Sequence, residues 1–193
     1  MVNRKIYWLT DLYSEDKVQR ADMDSLNSNI ETVYTNNYAM HGFHGIAVHP
    51  YHQWVFWTQY VYGGLNRVNR INYDGTGRTT LCNYLSPRGI EVVREKIYFI
   101  YGSADMIMQA NLDGSEADTL LTGVDSHFFA MDTLLGQVFW TESNKIKCAE
   151  MDNTGHVELI TGLSYFLRGI ALYYNPLSKL PGQEGNVPKD FFL

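Results

Sequence analysis

The sequence has little cysteine and no concentrated block of charge. Its 193 residues include two cysteines, Cys82 and Cys148, and the net charge of −6 is spread along the chain. A disulfide between the two would require their Cα atoms to approach within about 7 Å, and we expect two buried thiols instead. Because there is no basic patch, a nucleic-acid-binding surface is not expected.

Long apolar runs and helical periodicity are also missing. No apolar run approaches the roughly 18 residues of a membrane-spanning helix, so no membrane span is predicted in this chain. No apolar signal core follows the first residues, and there is no acceptor site for N-glycosylation. These absences suit a fragment of a secreted protein and an intracellular protein equally, so they leave the compartment open.

What the sequence does contain is a fourfold repeat of short β-type segments. One of these segments ends in an aspartate each time, at Asp24, Asp74, Asp113 and Asp152. An aromatic segment repeats in step with it, at Tyr7-Trp8, Phe56-Trp57, Tyr98-Phe99 and Phe139-Trp140. With one segment leading each unit and another closing it, a repeat of about 40 residues holds four strands, which is typical of a β-propeller blade.

We therefore predict an all-β fold, a β-propeller with four four-stranded blades. The predicted blades are residues 5–34 together with 166–173, then 43–82, 87–121 and 127–160, in a domain of residues 1–174. The remaining residues, 175–193, contain proline and glycine but no cysteine. This tail is predicted to be a linker or a disordered end.

Taken together, the segments resemble the YWTD repeat, also called the LDL-receptor class B repeat. The resemblance rests on units such as Gly45-Ile46-Ala47-Val48 and Val55-Phe56-Trp57-Thr58, and it extends from residue 5 to about 174. It implies a propeller like those in the extracellular parts of lipoprotein receptors, Wnt co-receptors and nidogens. Those proteins bind other proteins and are not enzymes, so the resemblance implies that this chain is not an enzyme. The resemblance thus implies an extracellular or cell-surface receptor module with a role in endocytosis or Wnt signalling, and no cofactor.

One departure from the repeat concerns the bonding between blades. The motif's aspartate, which the resemblance implies would tie neighbouring blades, is replaced by Gln59, Tyr101 and Glu142 in the later repeats. Bonding between blades must therefore differ here.

The strand count leaves two arrangements open. The first set of segments, residues 5–34, lacks a leading strand, and a leading segment at Phe166–Tyr173 stands alone at the end. If that segment completes the first blade, four blades close into a ring with no exposed sheet edge. The resemblance implies a six-bladed ring, of which this chain would be a part. We expect the closed four-blade ring.

A ligand site is expected at one mouth of the central channel. The loops that precede each leading strand and those that follow each aromatic strand lie at the same end of a propeller. The candidate ligand-binding residues in these loops are His44, Arg88, His127, Arg168, Tyr60 and Tyr101. Arginine and tyrosine are enriched at binding hot spots, so we expect a protein or peptide ligand, with a preference for an acidic one. The alternative is that the arginines pair with carboxylates of neighbouring blades.

Other chemistries are less well supported by the residues. His41, His44, His49 and His52 are close in sequence, but their spacing matches no zinc pattern, and we expect no metal site. A propeller hydrolase would need several acidic and amide side chains at the channel mouth, and the expected mouth has arginine and histidine. A structural or adhesion protein of the matrix, like nidogen, remains an alternative to the receptor.

Overall fold

A computed structural model describes residues 4–12, 15–24, 29–37, 41–63, 66–83, 86–164, 167 and 169–173. The described part of the chain is built of antiparallel strands in four sheets, with no helix. Blade 1 consists of β1 (Lys5–Leu12), β2 (Glu15–Asp22) and β3 (Glu31–Asn36). Blade 2 consists of β4 (His41–His49), β5 (Trp54–Val61), β6 (Arg67–Asn72) and β7 (Thr79–Asn83).

The other two blades repeat this order of strands. Blade 3 consists of β8 (Pro87–Val93), β9 (Lys96–Tyr101), β10 (Met106–Asn111) and β11 (Asp118–Thr122). Blade 4 consists of β12 (Phe129–Asp132), β13 (Gln137–Glu142), β14 (Lys145–Glu150) and β15 (Val157–Ile160). Each strand pairs with its neighbour in sequence within its sheet. The prediction of an all-β propeller with four blades is confirmed.

The hydrophobic core lies between the blades, in three successive clusters. Trp57 packs with Val18 between blades 1 and 2, and the preceding residue, Phe56, packs with Phe99 between blades 2 and 3. A third cluster, which includes Trp140, lies between blades 3 and 4. Successive side chains of a strand point to opposite faces of its sheet. Both faces of each central blade are therefore covered, which is why the aromatic strands are apolar throughout.

Closure of the ring is where the structure departs from expectation. Residues 167 and 169–173 form no strand, and among the described residues β1 has β2 alone as its neighbour in the sheet. Gly169 has φ +85, a left-handed conformation that an extended strand does not accommodate. No strand of blade 1 packs extensively on one of blade 4 in the part of the chain that the structure describes. The described residues therefore form an open arc and do not show the predicted closed ring; Phe166 and Arg168 of the predicted closing strand lie outside them.

Equivalent positions in the blades show that the two ends of the arc are uncovered. Leu121 in blade 3 is 0% exposed because blade 4 lies on it, whereas Ile160, at the same register in blade 4, is 46% exposed. At the other end, Ile6 in blade 1 is 51% exposed and its counterpart Val55 in blade 2 is 0% exposed. Apolar side chains on the outer faces of blades 1 and 4 are thus exposed, whereas side chains at the equivalent positions of the inner blades are buried.

Hydrogen bonds from arginine replace the aspartate ties that the resemblance implied. Arg20 Nη1 donates to the backbone oxygen of Tyr73 at 2.7 Å, which joins blade 1 to blade 2. Arg70, at the same repeat position one blade later, donates to the oxygen of Leu112 at 3.2 Å, which joins blade 2 to blade 3. A guanidinium group on a long side chain reaches across the gap between blades, which shorter donors do not.

Candidate functional site

The leading strands carry an irregularity at the channel end that orients the candidate side chains. In β4 the pairing register shifts between Phe43 and Ile46, so that His44 and Gly45 form a bulge. In β8 the register shifts between Pro87 and Ile90, so that Arg88 and Gly89 form the equivalent bulge. Bulges bend a strand and redirect its side chains, and they are common next to sites.

Glycine follows the candidate residue in both bulges because neighbouring leading strands approach closely near the axis. A Cβ atom on Gly45 would lie 2.9 Å from the backbone oxygen of Arg88, and one on Gly89 would lie 2.7 Å from that of His127. The Gly89 amide uses this approach to donate to the His127 oxygen at 3.0 Å. Residues 44, 88 and 127 are therefore held beside one another around the axis.

The Thr58 hydroxyl fixes the two bulges to each other. Its Oγ1 accepts a hydrogen bond from the Gly45 amide at 2.9 Å and donates one to the Arg88 oxygen at 2.5 Å. Thr58 is fully buried. Since a buried hydroxyl that both donates and accepts is satisfied, this group holds blades 2 and 3 in one relative position at the mouth.

A cavity of about 510 Å³ opens at this end of the arc. Two of the sequence-predicted residues, His44 from blade 2 and His127 from the segment before β12, line it together. Its other described lining residues are Asp125, Ser126, Phe128, Thr141, Ser143 and Leu167. The volume is in the ordinary range for ligand pockets, and the wall combines apolar surface with hydroxyl, imidazole and carboxylate groups.

The surroundings of His44 favour the neutral form of its imidazole. Burial lowers its pKa, the carboxylate of Asp11 opposes that shift, and the positive charge of Arg88 adds to it. The Tyr60 ring lies edge-on to the imidazole with 6.4 Å between ring centroids. Because the pKa is below its usual value near 6.5, the imidazole is neutral at pH 7 and offers one donor and one acceptor to the cavity.

Arg88 is engaged in holding the mouth together. Its Nη1 donates to the Ser126 oxygen at 2.8 Å and lies 3.6 Å from Asp125 Oδ1. The Ser126 hydroxyl in turn lies 2.8 Å from the oxygen of Phe128 and 2.5 Å from that of Thr141. These bonds fix the loop before β12, so the part of the wall formed by blade 4 is preorganised.

The remaining candidates have different positions. Tyr60 is 37% exposed at the end of β5. Tyr101 is half-buried, pairs with Pro87 and packs against the cluster between blades 2 and 3. Arg168 lies outside the described residues. Asp125, Thr141 and Ser143 line the cavity but were not predicted from the sequence. What could have pointed to them is their position, since Asp125 precedes β12 and Thr141 and Ser143 lie at the end of β13.

A second cavity, of about 340 Å³, lies at the opposite end of the arc, between blades 2 and 3. Its described lining is His52, Trp54, Arg70, Glu95, Asn111, Leu112 and Asp113. The turn between β8 and β9 contributes Glu95, and the turn between β4 and β5 contributes His52. Sequence reasoning considered the histidine of this group but had no way to connect it with the distant glutamate.

The two cysteines do not form a disulfide. Both thiols are free; Cys148 is buried and Cys82 is half-buried. Burial raises the pKa of the Cys82 thiol to about 12, so this thiol stays protonated at neutral pH.

Within the described ranges, no helix has the length and apolarity that crossing a bilayer requires.

Comparison with known proteins shows the fold. No family model matches the chain. The nidogen of a nidogen/laminin complex aligns with 86% of this chain and 65% of its own at 20% identity and a TM-score of 0.70. TolB from Acinetobacter baumannii aligns with 81% of this chain and 41% of its own at 11% identity and a TM-score of 0.62. A gluconolactonase from Xanthomonas campestris aligns with 79% of this chain and 57% of its own at 13% identity and a TM-score of 0.62.

The chain spans 65% or less of each of these three structures, and identities of this size show a shared β-propeller fold alone. The expectation that the chain is not an enzyme is wrong as a conclusion from its fold, because a gluconolactonase is among the similar structures. The propeller fold by itself establishes neither catalysis nor its absence.

Proposed function

We propose that this chain is a protein-binding β-propeller of the YWTD type, which holds a segment of a partner protein at the channel mouth. The observation that carries the proposal is the joint lining of one cavity by His44 of blade 2 and His127 beside blade 4. The two residues are far apart in sequence, and the repeat alone placed them at this mouth. A wall made by several blades is suited to an extended ligand that crosses them.

The surface chemistry around the cavity supports a peptide ligand. Phe128 lines the cavity and is 36% exposed, Tyr60 lies against His44 and is 37% exposed, and Tyr62 follows β5 at the same end of the arc and is 69% exposed. Aromatic side chains give large contact areas at low entropic cost, and hydroxyl and imidazole groups supply directional hydrogen bonds. Such a combination fits a peptide with one apolar side chain in the cavity and its backbone against the polar wall.

The acidic preference that was expected from sequence is not part of the proposal. The Arg88 guanidinium bonds to a backbone oxygen and lies near the Asp125 carboxylate. That carboxylate is 70% exposed and lines the same cavity, so a second acidic group placed there would meet a like charge. The proposed ligand is therefore a neutral or mixed-charge segment.

A receptor ectodomain on the cell surface is the first candidate setting, and a matrix adhesion protein is the second. The similarity to nidogen from a complex with laminin favours the second, and the repeat pattern supports both. The reading frame of the full-length transcript separates them, because a membrane span followed by a cytoplasmic tail is expected for the receptor alone.

A peptide selection tests the proposal. A displayed random peptide library is selected on the wild-type chain, and the affinities of the selected peptides are then measured on variants. Phe128→Ala and His127→Ala should each weaken binding by about tenfold or more, as for residues that contribute to a hot spot. The matched control is Tyr51→Ala, at the opposite end of the arc and 85% exposed, which should bind as the wild type does. Selected peptides that lose affinity on Tyr51→Ala and retain it on Phe128→Ala would overturn the proposal.

A further inference from the structure

The end of the arc opposite the channel mouth brings together three side chains with metal-ligand chemistry. His49 ends β4, and His52 lies in the turn that leads to β5. Glu95 lies in the equivalent turn of the next blade, between β8 and β9. One ligand atom from each of these residues lies within 4.8 Å of the other two. The group is separate from the proposed peptide site, so it stands or falls independently of that function.

The distances in this group are close to those of a tetrahedral ion. His52 Nε2 lies 3.3 Å from one Glu95 oxygen, and His49 Nε2 lies 3.9 Å from the other. With bonds of about 2.1 Å, two ligand atoms of a tetrahedral zinc site are about 3.4 Å apart. Rotation of the Glu95 carboxylate would adjust its own two separations without movement of the backbone, and the two imidazole ligand atoms lie within 4.8 Å of each other.

Neighbouring groups hold the ligands in this arrangement. The His52 ring is stacked on Trp54 with 4.5 Å between centroids and 19° between planes. His49 is buried, and its Nε2 donates to the Arg94 oxygen at 3.0 Å. Arg94 has φ 51, a left-handed conformation that directs its carbonyl toward blade 2. The His52 ring is therefore held in place before an ion arrives, whereas His49 Nε2 must first give up its bond to the Arg94 oxygen.

The proton of His49 must change its position when an ion binds. In the metal-free protein Nε2 carries the proton, and Nδ1 accepts from the His52 amide at 3.3 Å. When Nε2 gives its lone pair to the ion, the proton moves to Nδ1 and the ring stays neutral. Two hydrogen bonds are lost in this change, the 3.0 Å bond from Nε2 to the Arg94 oxygen and the 3.3 Å bond from the His52 amide to Nδ1, and the Arg94 oxygen is released as a further donor atom for the ion.

The donor set identifies the class of ion. Two imidazole nitrogens and one carboxylate are typical of zinc and related transition metals, whereas calcium requires six to eight oxygens. The ion has an entry path, because His52 and Glu95 line the second cavity and the Glu95 side chain is 71% exposed. We propose that His49, His52 and Glu95 bind one divalent ion of the zinc class, and that this ion joins blades 2 and 3.

Calorimetric titration of the full chain with zinc chloride tests the proposal. One ion per chain should bind, and His52→Gln and Glu95→Gln should each weaken binding by at least about 100-fold, since loss of an outer-shell partner alone costs 10–100-fold. The matched controls are His156→Gln, whose ring also contacts a tryptophan, and Glu116→Gln, whose side chain is 76% exposed. Both controls should bind zinc as the wild type does.

Two further measurements make the result independent of the variants' folding. Cobalt(II) bound to the wild type should show the intense visible absorption of tetrahedral coordination, and zinc should raise the melting temperature of the wild type while calcium leaves it unchanged. The proposal is overturned by a zinc titration with no saturable one-to-one site, by unchanged affinity in both ligand variants, or by equal affinity for calcium.

Discussion

A partly buried carboxyl group between blades 3 and 4 should make the free energy of unfolding depend on pH. Glu91 lies in β8, pairs with Tyr98 in β9 and accepts a hydrogen bond from the backbone of Met131 in β12. Burial raises the pKa of Glu91 from 4.5 to about 7, although the Met131 hydrogen bond opposes the shift. Tyr98 is its neighbour within blade 3 and Met131 its partner in blade 4, and neither supplies a positive charge.

The sign and size of the effect follow from proton linkage. Because the folded-state pKa is above the unfolded one, the stability contribution is complete below pH 4.5 and is lost as pH rises through about 7. A difference of about 2.5 pKa units, at about 1.4 kcal/mol each, corresponds to an upper limit of about 3 kcal/mol. A loss of this size as the pH rises from acid to mildly alkaline would be a large part of the free energy of unfolding of a typical domain.

The assay compares urea unfolding of the wild type and Glu91→Gln between pH 4 and pH 8. The amide has nearly the same shape and carries no charge at any of these values, so the difference between the two proteins isolates Glu91. The variant should match the wild type near pH 4 and be more stable by up to about 3 kcal/mol at pH 8. A difference between the two proteins that stays constant over this pH range would refute the reasoning.

Four further substitutions test the packing of the arc, each by urea unfolding. Leu121→Ala should cost about 2–5 kcal/mol, whereas Ile160→Ala, at the same register in blade 4 but 46% exposed, should cost less than about 1.5 kcal/mol. Equal costs would mean that the outer face of blade 4 is covered. Arg70→Lys should cost about 1–3 kcal/mol, because an ammonium group does not reproduce the bond to the Leu112 oxygen of blade 3 or the stacking of the guanidinium on the Trp54 ring, 3.9 Å from its centroid; wild-type stability would show that the tie contributes nothing. Gly89→Ala should cost about 1–3 kcal/mol because the new methyl group meets the His127 oxygen, and a neutral result would show that the leading strands have room to separate.

The repeat predicted the blades because propeller pairing is local in sequence. Each strand pairs with its neighbour in the chain, so the aromatic and aspartate segments fix strand order without long-range information. The same reasoning placed His44 and His127 at one mouth, since both precede a leading strand. Loop position was sufficient there because the repeat reproduces the same geometry in every blade.

Features that depend on contacts between blades could not be predicted in this way. Closure depends on the angle between blades and on the backbone at Gly169, and neither is encoded in the repeat. The sequence left open whether Arg88 binds a ligand or pairs with a neighbouring blade, and it did not predict the bonds of Arg88 to the loop before β12. Glu95 joins His49 and His52 through packing of neighbouring blades, so histidine spacing alone gave no sign of it.

The most direct test of the account is hydrogen exchange of the full chain with and without a selected peptide. If the channel mouth is the binding site, the peptide should slow exchange of the amides of residues 125–128 and of the bulge at His44 and Gly45. The turns at residues 50–53 and 94–95, at the opposite end, should exchange as in the free protein. Protection of those turns, with the mouth unchanged, would contradict the account.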